Sequence, residues 1–228
     1  MKDETRIVSL EPRAPLRPGD PAPCFSLPAI NRDGLISLDD YRDKSPLLLS
    51  IFRGLYCAFC RRHIAQLAGT REKLLAMGVE TLVVVPTPVE RARVYLRFRP
   101  TKVLLAADPE MVTHRSYGLP KGEMDSDTAQ RLHSMELDMA REMNEPLPAT
   151  ASVTDVGNIV GRLDGYDMTQ ADWDDQNRIR GQRIGQFLLD RQGVVRWVNV
   201  EGARDGSAGI GKFPTDAELL DAARELPG

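Results

Sequence analysis

Between residues 47 and 106 the chain alternates strand-length apolar runs with amphipathic stretches, and this alternation narrows the fold more than any other feature. The run Leu47–Arg53 follows a proline and reads as a buried strand. Cys57 to about Met77 reads as a helix, with Ile64, Leu67, Leu74 and Leu75 near one face and Gly78 as its C-terminal stop. Val79–Val85 is a second buried strand. Val89–Phe98 is a second helix, closed before Pro100, and Val103–Ala106 is a third strand. Strand, helix, strand, helix, strand predicts an α/β architecture with parallel strands.

The pattern changes beyond that core. Leu35–Leu38 forms a short strand after the turn at Asn31–Gly34. Asp125–Met143 is a helix with Leu132, Met135, Met139 and Met143 at three- and four-residue spacing. Residues 144–182 carry prolines, glycines and many acids with no clear period. Gln186–Leu189 and Val194–Val200 flank Asp190–Gly193 and predict a hairpin. Thr215 and Glu218 make a capping box that opens a last helix. Residues 1–18, with Pro12, Pro15 and Pro18, read as an extended arm. Residues 19–228 are expected to form one domain, interrupted at about 120–182 by a helical insertion before the last strand hairpin.

A net charge of −3 gives no reason to expect nucleic acid or an anionic membrane as partner. No apolar run approaches the roughly 18 residues of a membrane span. The charged, proline-rich N-terminus lacks the apolar core of a signal peptide, so a cytoplasmic location is expected. Three cysteines in 228 residues are not a disulfide framework.

Two of those cysteines, Cys57 and Cys60, lie where a strand ends and a helix begins. The first turn of a helix offers unpaired N–H groups and the positive end of the macrodipole, and both favour thiolate over thiol. Arg53, Arg61 and Arg62 are cations close in sequence that push the same way. At the free value of about 8.5 only a few per cent of a thiol is ionised at pH 7, so a lowered value decides reactivity. Cysteines three apart on one turn also share a face and can close a disulfide. Zinc is the first competing reading, because Cys57-x-x-Cys60-x-x-His63 offers three ligands. A structural zinc site wants four, and neither a second cysteine pair nor a paired histidine motif is present. No metal or other cofactor is therefore expected. A second competing reading is a pair of inert core cysteines in a redox-inert binding module.

Several segments resemble peroxiredoxins of the AhpC/TSA family. Gly19-Asp20-Pro21-Ala22-Pro23-Cys24-Phe25-Ser26-Leu27 looks like the family's Gly-Asp-x-Ala-Pro-x-Phe-x-Leu opening. Leu47–Cys60 resembles its strand, loop and active-site helix in the Cys-x-x-Cys branch. Asp108–Leu119 and Gln186–Val198, with Phe187-Leu188-Leu189-Asp190, resemble later elements. The resemblance implies a thioredoxin-like fold, a central mixed sheet flanked by helices, and reduction of peroxides or disulfides by cysteine. It also implies a thioredoxin- or glutathione-type thiol as electron donor, and it is compatible with a homodimer. Aligned on the family's Pro-x-x-x-Thr-x-x-Cys motif, Cys60 takes the attacking position, Cys57 the threonine position and Arg53 the proline position. The family's arginine before the Phe-x-x-Asp strand has Arg183 as its nearest counterpart, one position off. Two mechanisms fit. Either Cys60 attacks peroxide and Cys57 condenses with the resulting sulfenic acid, or Cys57 attacks a disulfide and Cys60 resolves the mixed intermediate.

Other features point to packing more than chemistry. Cys24 reads as a packed small residue, with a distant resolving thiol as the alternative. Gly206–Lys212 has the spacing of a phosphate-binding loop, but Phe213 and Pro214 follow where a hydroxyl and a helix are needed, so a surface loop is expected. The methionine stripe reads as core packing, with a partner surface or a lid over the cysteines as the alternative. The acidic run around Trp173 reads as a solvated loop or helix start, and His63 as an exposed polar residue.

Overall fold

A computed structural model describes residues 14–123, 125–142 and 165–227. Five strands form the central sheet: β3 (Leu47–Ile51), β4 (Glu80–Val85), β5 (Leu104–Ala107), β6 (Gly185–Leu189) and β7 (Val195–Val200), in the order β5-β4-β3-β6-β7. β3, β4 and β5 run parallel, as the alternation predicts, while β6 lies antiparallel to both β3 and β7. A small antiparallel pair, β1 (Ser26–Pro28) and β2 (Leu35–Ser37), precedes the sheet.

The helices are α1 (Ala58–Ala76), α2 (Val89–Phe98), α3 (Val112–Ser116), α4 (Ser126–Glu142), α5 (Gln170–Ile179) and α6 (Asp216–Arg224). None of the described helices is long and apolar enough to cross a membrane. The mixed sheet flanked by helices is the thioredoxin-like arrangement that the resemblance implied.

Both faces of β3 are covered, which is why its sequence is continuously apolar. Leu48 packs with Leu67 and Leu74 of α1 and with Leu219 of α6 on one face. Leu47, Leu49 and Ile51 pack with Leu16, Leu38, Tyr117 and Phe187 on the other. The register sets Leu49 between Leu82 and Phe187. Of the four apolar residues assigned to the inner face of α1, three are buried. Leu75 is 41% exposed, because it follows Leu74 by one residue and so points about 100° further round the helix.

Two elements escaped the sequence, and a third was left open between a solvated loop and a helix start. β1 and α3 are three and five residues long, too short to show a period. α5 lies in the segment with no legible pattern, yet its start carries a capping box. Thr169 Oγ1 accepts from the Asp172 amide at 3.3 Å, and the Thr169 amide donates to Asp172 Oδ2 at 2.9 Å. Asp172 is buried, not solvated, and also takes hydrogen bonds from Tyr166 and Arg91. An ion pair from Arg91 to Asp175 adds a second tie between α2 and α5. Met143, the last member of the methionine stripe, lies outside the described residues.

Loss of the α5 cap has a local signature. Thr169→Ala is expected to cost about 1 kcal/mol at the helix start. Amide exchange over residues 170–179 should then accelerate about fivefold, with the β3 and β4 amides unchanged. Unchanged exchange in α5 would show that the cap does not hold it.

Candidate functional site

The sheet delivers the chain to the site through β3. After Ile51 the chain leaves the sheet, Gly54 takes a positive φ of 129°, and the Leu55 amide is held by Thr87 Oγ1 at 3.0 Å. The turn ends at Cys57, whose backbone is extended (φ −78°, ψ 111°), and α1 begins at the next residue. Cys57 is thus the N-cap. Its sulfur accepts from the Cys60 amide at 3.3 Å, the role a serine or aspartate oxygen usually fills.

The electrostatics of the two sulfurs diverge from this geometry. The Cys57 thiol is lowered to about 6, with the hydrogen bond from the Cys60 side chain as the largest cause; burial opposes it, and the Arg53 charge and the Cys60 amide reinforce it. Arg53 Nη2 stands 3.9 Å from the Cys57 sulfur. Cys60 is fully buried, and desolvation together with the neighbouring thiolate raises its thiol well above the usual value. Cys57 is 8% exposed. One thiol is therefore acidic and just short of full burial, and the other is a protonated reserve beside it.

Arg53 is itself buried and needs a counter-ion. Its Nη1 pairs with Glu201 Oε2 at 2.9 Å, and Glu201 also accepts from the amides of Gly211 at 2.6 Å and Ile184 at 3.4 Å. The glycine-rich loop before α6 therefore spends an amide on a carboxylate rather than on a phosphate. Part of that loop is buried, contrary to the surface loop expected from sequence. Of the three arginines near the pair, Arg53 is the one whose guanidinium stands beside the sulfur. Arg61 donates to the carbonyls of Leu55 and Tyr56 and covers the Tyr166 ring, and Arg62 pairs with Glu142 at the surface.

Above Cys57 lies a cavity of about 360 Å³. Its floor is Arg53, Tyr56 and Cys57. One wall is the Ala129, Leu132 and Glu136 face of α4, and the other comes from α5 with Trp173 and Gln176. Both walls belong to the segment that the sequence set apart as an insertion.

A sequence profile of the AhpC/TSA family matches residues 18–162. The chain belongs to the AhpC/TSA family. The match spans the first strand pair, the Cys57–Cys60 turn and α4. A search of curated proteins found no match. Among solved structures, the 2-Cys peroxiredoxin of Plasmodium vivax is similar at 14% identity and a TM-score of 0.57, covering 92% of this chain and 81% of that one. The peroxidoxin BcpB of Mycobacterium tuberculosis is similar at 12% identity and a TM-score of 0.55, covering 92% and 95%. A Chlorobium tepidum protein assigned as the thiol:disulfide interchange protein DsbE is similar at 20% identity and a TM-score of 0.52, covering 92% and 96%. At these identities the structural likeness speaks for the fold, and family membership with that fold supports a thiol oxidoreductase.

Within this AhpC/TSA chain the residues singled out from sequence separate. Cys57, Cys60 and Arg53 come together at the start of α1. Arg183 does not join them: it is not among the residues lining the cavity, and its guanidinium lies against Gly122. Cys24 is also outside the cavity and accepts from Arg42 Nη1 at 3.4 Å. His63 is buried rather than exposed. Gln186 Nε2 donates to its Nε2 at 2.6 Å, its Nδ1 faces Gln66 Oε1 at 3.0 Å, and its ring stacks on Phe213. Burial lowers its pKa to about 4, so it is a neutral core group and is turned away from the cysteines. Among the described residues no three histidine, cysteine or acidic groups come together to hold a metal.

Two residues of the site were missed from sequence, Glu201 and Glu136. Glu201 follows the last strand with nothing local to mark it. Glu136 had a signal: it is a carboxylate four residues after Leu132 on a helix otherwise read for its apolar stripe.

The acidity of Cys57 is measurable by alkylation with iodoacetamide in a Cys60→Ser background. The rate should follow an ionisation below that of a free thiol (about 8.5), shifted from the wild-type value of about 6 because the Cys60 thiol no longer donates. Replacing Arg53 by Met together with Glu201 by Gln, which avoids stranding a buried charge, should move that midpoint up by about one unit or more. A wild-type midpoint near 8.5, the value of a free thiol (about 8.5), would contradict the site as described.

Proposed function

We propose that the protein is a thiol-dependent peroxidase in which Cys57 attacks a small hydroperoxide and Cys60 resolves the product. The observation that carries this reading is the pairing of an acidic Cys57, a residue lining the floor of a 360 Å³ cavity, with a fully buried Cys60 thiol. A hydroperoxide fits a space of that volume. Alignment with the family's motif gives the attack to Cys60. Burial argues against that order, because the thiolate is the nucleophile and Cys60 is held as the thiol.

In the first step the Cys57 thiolate sulfur bonds to one peroxide oxygen, the O–O bond breaks, and the leaving alkoxide or hydroxide takes a proton. Cys57 becomes a sulfenic acid. In the second, the Cys60 sulfur attacks the Cys57 sulfur, the S–O bond breaks, and hydroxide leaves with the Cys60 proton as water. The sum is one peroxide and two thiols converted to one alcohol or water, one water and one disulfide. A thiol of the thioredoxin or glutathione type then returns both cysteines to thiols by exchange. The smaller donor fits the same cavity.

Thiol–disulfide exchange is the second reading, favoured by the same order of exposure: an N-cap sulfur in front and a buried partner behind. Mass spectrometry after one equivalent of hydrogen peroxide separates the two. The peroxidase reading expects a Cys57–Cys60 disulfide in the wild type, a trapped sulfenate on Cys57 in Cys60→Ser, and no reaction in Cys57→Ser. A wild type unchanged by peroxide but oxidised by a small disulfide would leave only exchange.

A further inference from the structure

The peroxide step needs a proton for the oxygen that leaves, and Cys57 cannot supply it because its reactive form has already lost one. The groups around the cavity narrow the source. Cys57, Arg53 and Tyr56 form the floor, Arg61 stands on α1 and Arg180 follows α5. Arg53 is held by Glu201, and Arg61 by the carbonyls of Leu55 and Tyr56. Arginines stay protonated and do not act as acids near neutral pH. Burial pushes the Tyr56 phenol well above its usual range, so among the described residues the lining side chain left to release a proton near neutral pH is Glu136 of α4. Its Oε2 is buried without a hydrogen-bond partner among the described residues. A buried carboxyl oxygen with no partner is costly and calls for an explanation.

We infer that Glu136 is the proton donor of this site: its protonated carboxyl gives its proton to the oxygen that leaves as the Cys57 sulfur attacks. This inference rests on the peroxidase reading and names one of its acting groups. Oδ–H and Oε–H acids of this kind work best when their pKa lies near the operating pH. Burial, helped by the neighbouring Cys57 charge, raises the Glu136 carboxyl to about 7. The acid form of Glu136 and the thiolate form of Cys57 therefore coexist between about pH 6 and pH 7. The coupling also has a direction. Once Cys57 has become a neutral sulfenic acid, its charge no longer opposes ionisation of Glu136, so proton release becomes easier as the S–O bond forms.

The bond changes balance. The sulfur–oxygen bond forms, the oxygen–oxygen bond breaks, and the Glu136 proton moves to the leaving oxygen, giving alcohol or water and a Glu136 carboxylate. Solvent reprotonates that carboxylate before the next turnover.

The test compares two reactions of Cys57 in a Cys60→Ser background, with and without Glu136→Gln. Oxidation by hydrogen peroxide needs the proton; alkylation by iodoacetamide, which expels iodide, does not. Glu136→Gln should slow peroxide oxidation about tenfold or more between pH 6 and pH 7. It should abolish the alkaline decline near pH 7 that the parent shows, and leave the alkylation rate within about twofold. Equal losses in both reactions, or no loss in either, would overturn the role of Glu136. If the parent protein is inert to peroxide, the peroxidase reading fails by itself.

Discussion

The structure turns on a sulfur atom doing the work of a helix cap. At the start of α1 the Cys57 sulfur accepts the amide of Cys60, where most helices use an oxygen. An anion is the better acceptor for an unpaired N–H at the positive end of the macrodipole. Capping and ionisation therefore reinforce one another, and the contact that fixes the helix start adds to the larger effect of the Cys60 side chain in making the sulfur a nucleophile. The sheet exists, for this purpose, to bring β3 to that point: its five residues are wholly buried, so the turn that follows has a rigid base.

A thiolate in a cavity needs a cation, and the cation needs an anion of its own. Arg53 lies between Cys57 and Glu201 and so joins the end of β3 to the end of β7. Glu201 is satisfied in turn by the Gly211 amide. Breaking one member of such a desolvated set costs about 3–5 kcal/mol, since the partner is left charged in a poor solvent. The arrangement trades stability at risk for a fixed positive charge beside the sulfur. Glu136 sits across the cavity with the opposite tendency, held toward its neutral form by burial. The two carboxylates near the site thus have different roles because one is paired and the other is not.

The sheet and its order of elements were legible because their causes are local. Apolar runs of strand length, Gly78 at a helix stop and Thr215 at a helix start each act over a few residues. The cysteine pair was legible for the same reason, since three-residue spacing at a strand-to-helix junction fixes its neighbourhood. What escaped depends on distant chain. Glu201 reaches Arg53 across 148 residues, His63 is claimed by Gln186 across 123, and α5 is anchored by Arg91 from another helix. Arginine proximity in sequence also misled: Arg61 and Arg62 are nearer neighbours of Cys60 than Arg53 is, yet both point to other partners.

Because α4 and α5 make the walls above Cys57, the segment between the third parallel strand and the closing hairpin sets what reaches the sulfur. The nucleophile and its reserve sit at the start of α1, and the walls come from the segment between β5 and β6. Everything chemical still depends on which sulfur ionises first. The direct measurement is thiolate ultraviolet absorbance followed across pH in the reduced wild type, Cys57→Ser and Cys60→Ser. The account predicts an ionisation near pH 6 that persists without Cys60 as a shifted step and vanishes without Cys57. A step near pH 6 that survives Cys57→Ser and disappears with Cys60→Ser would contradict it.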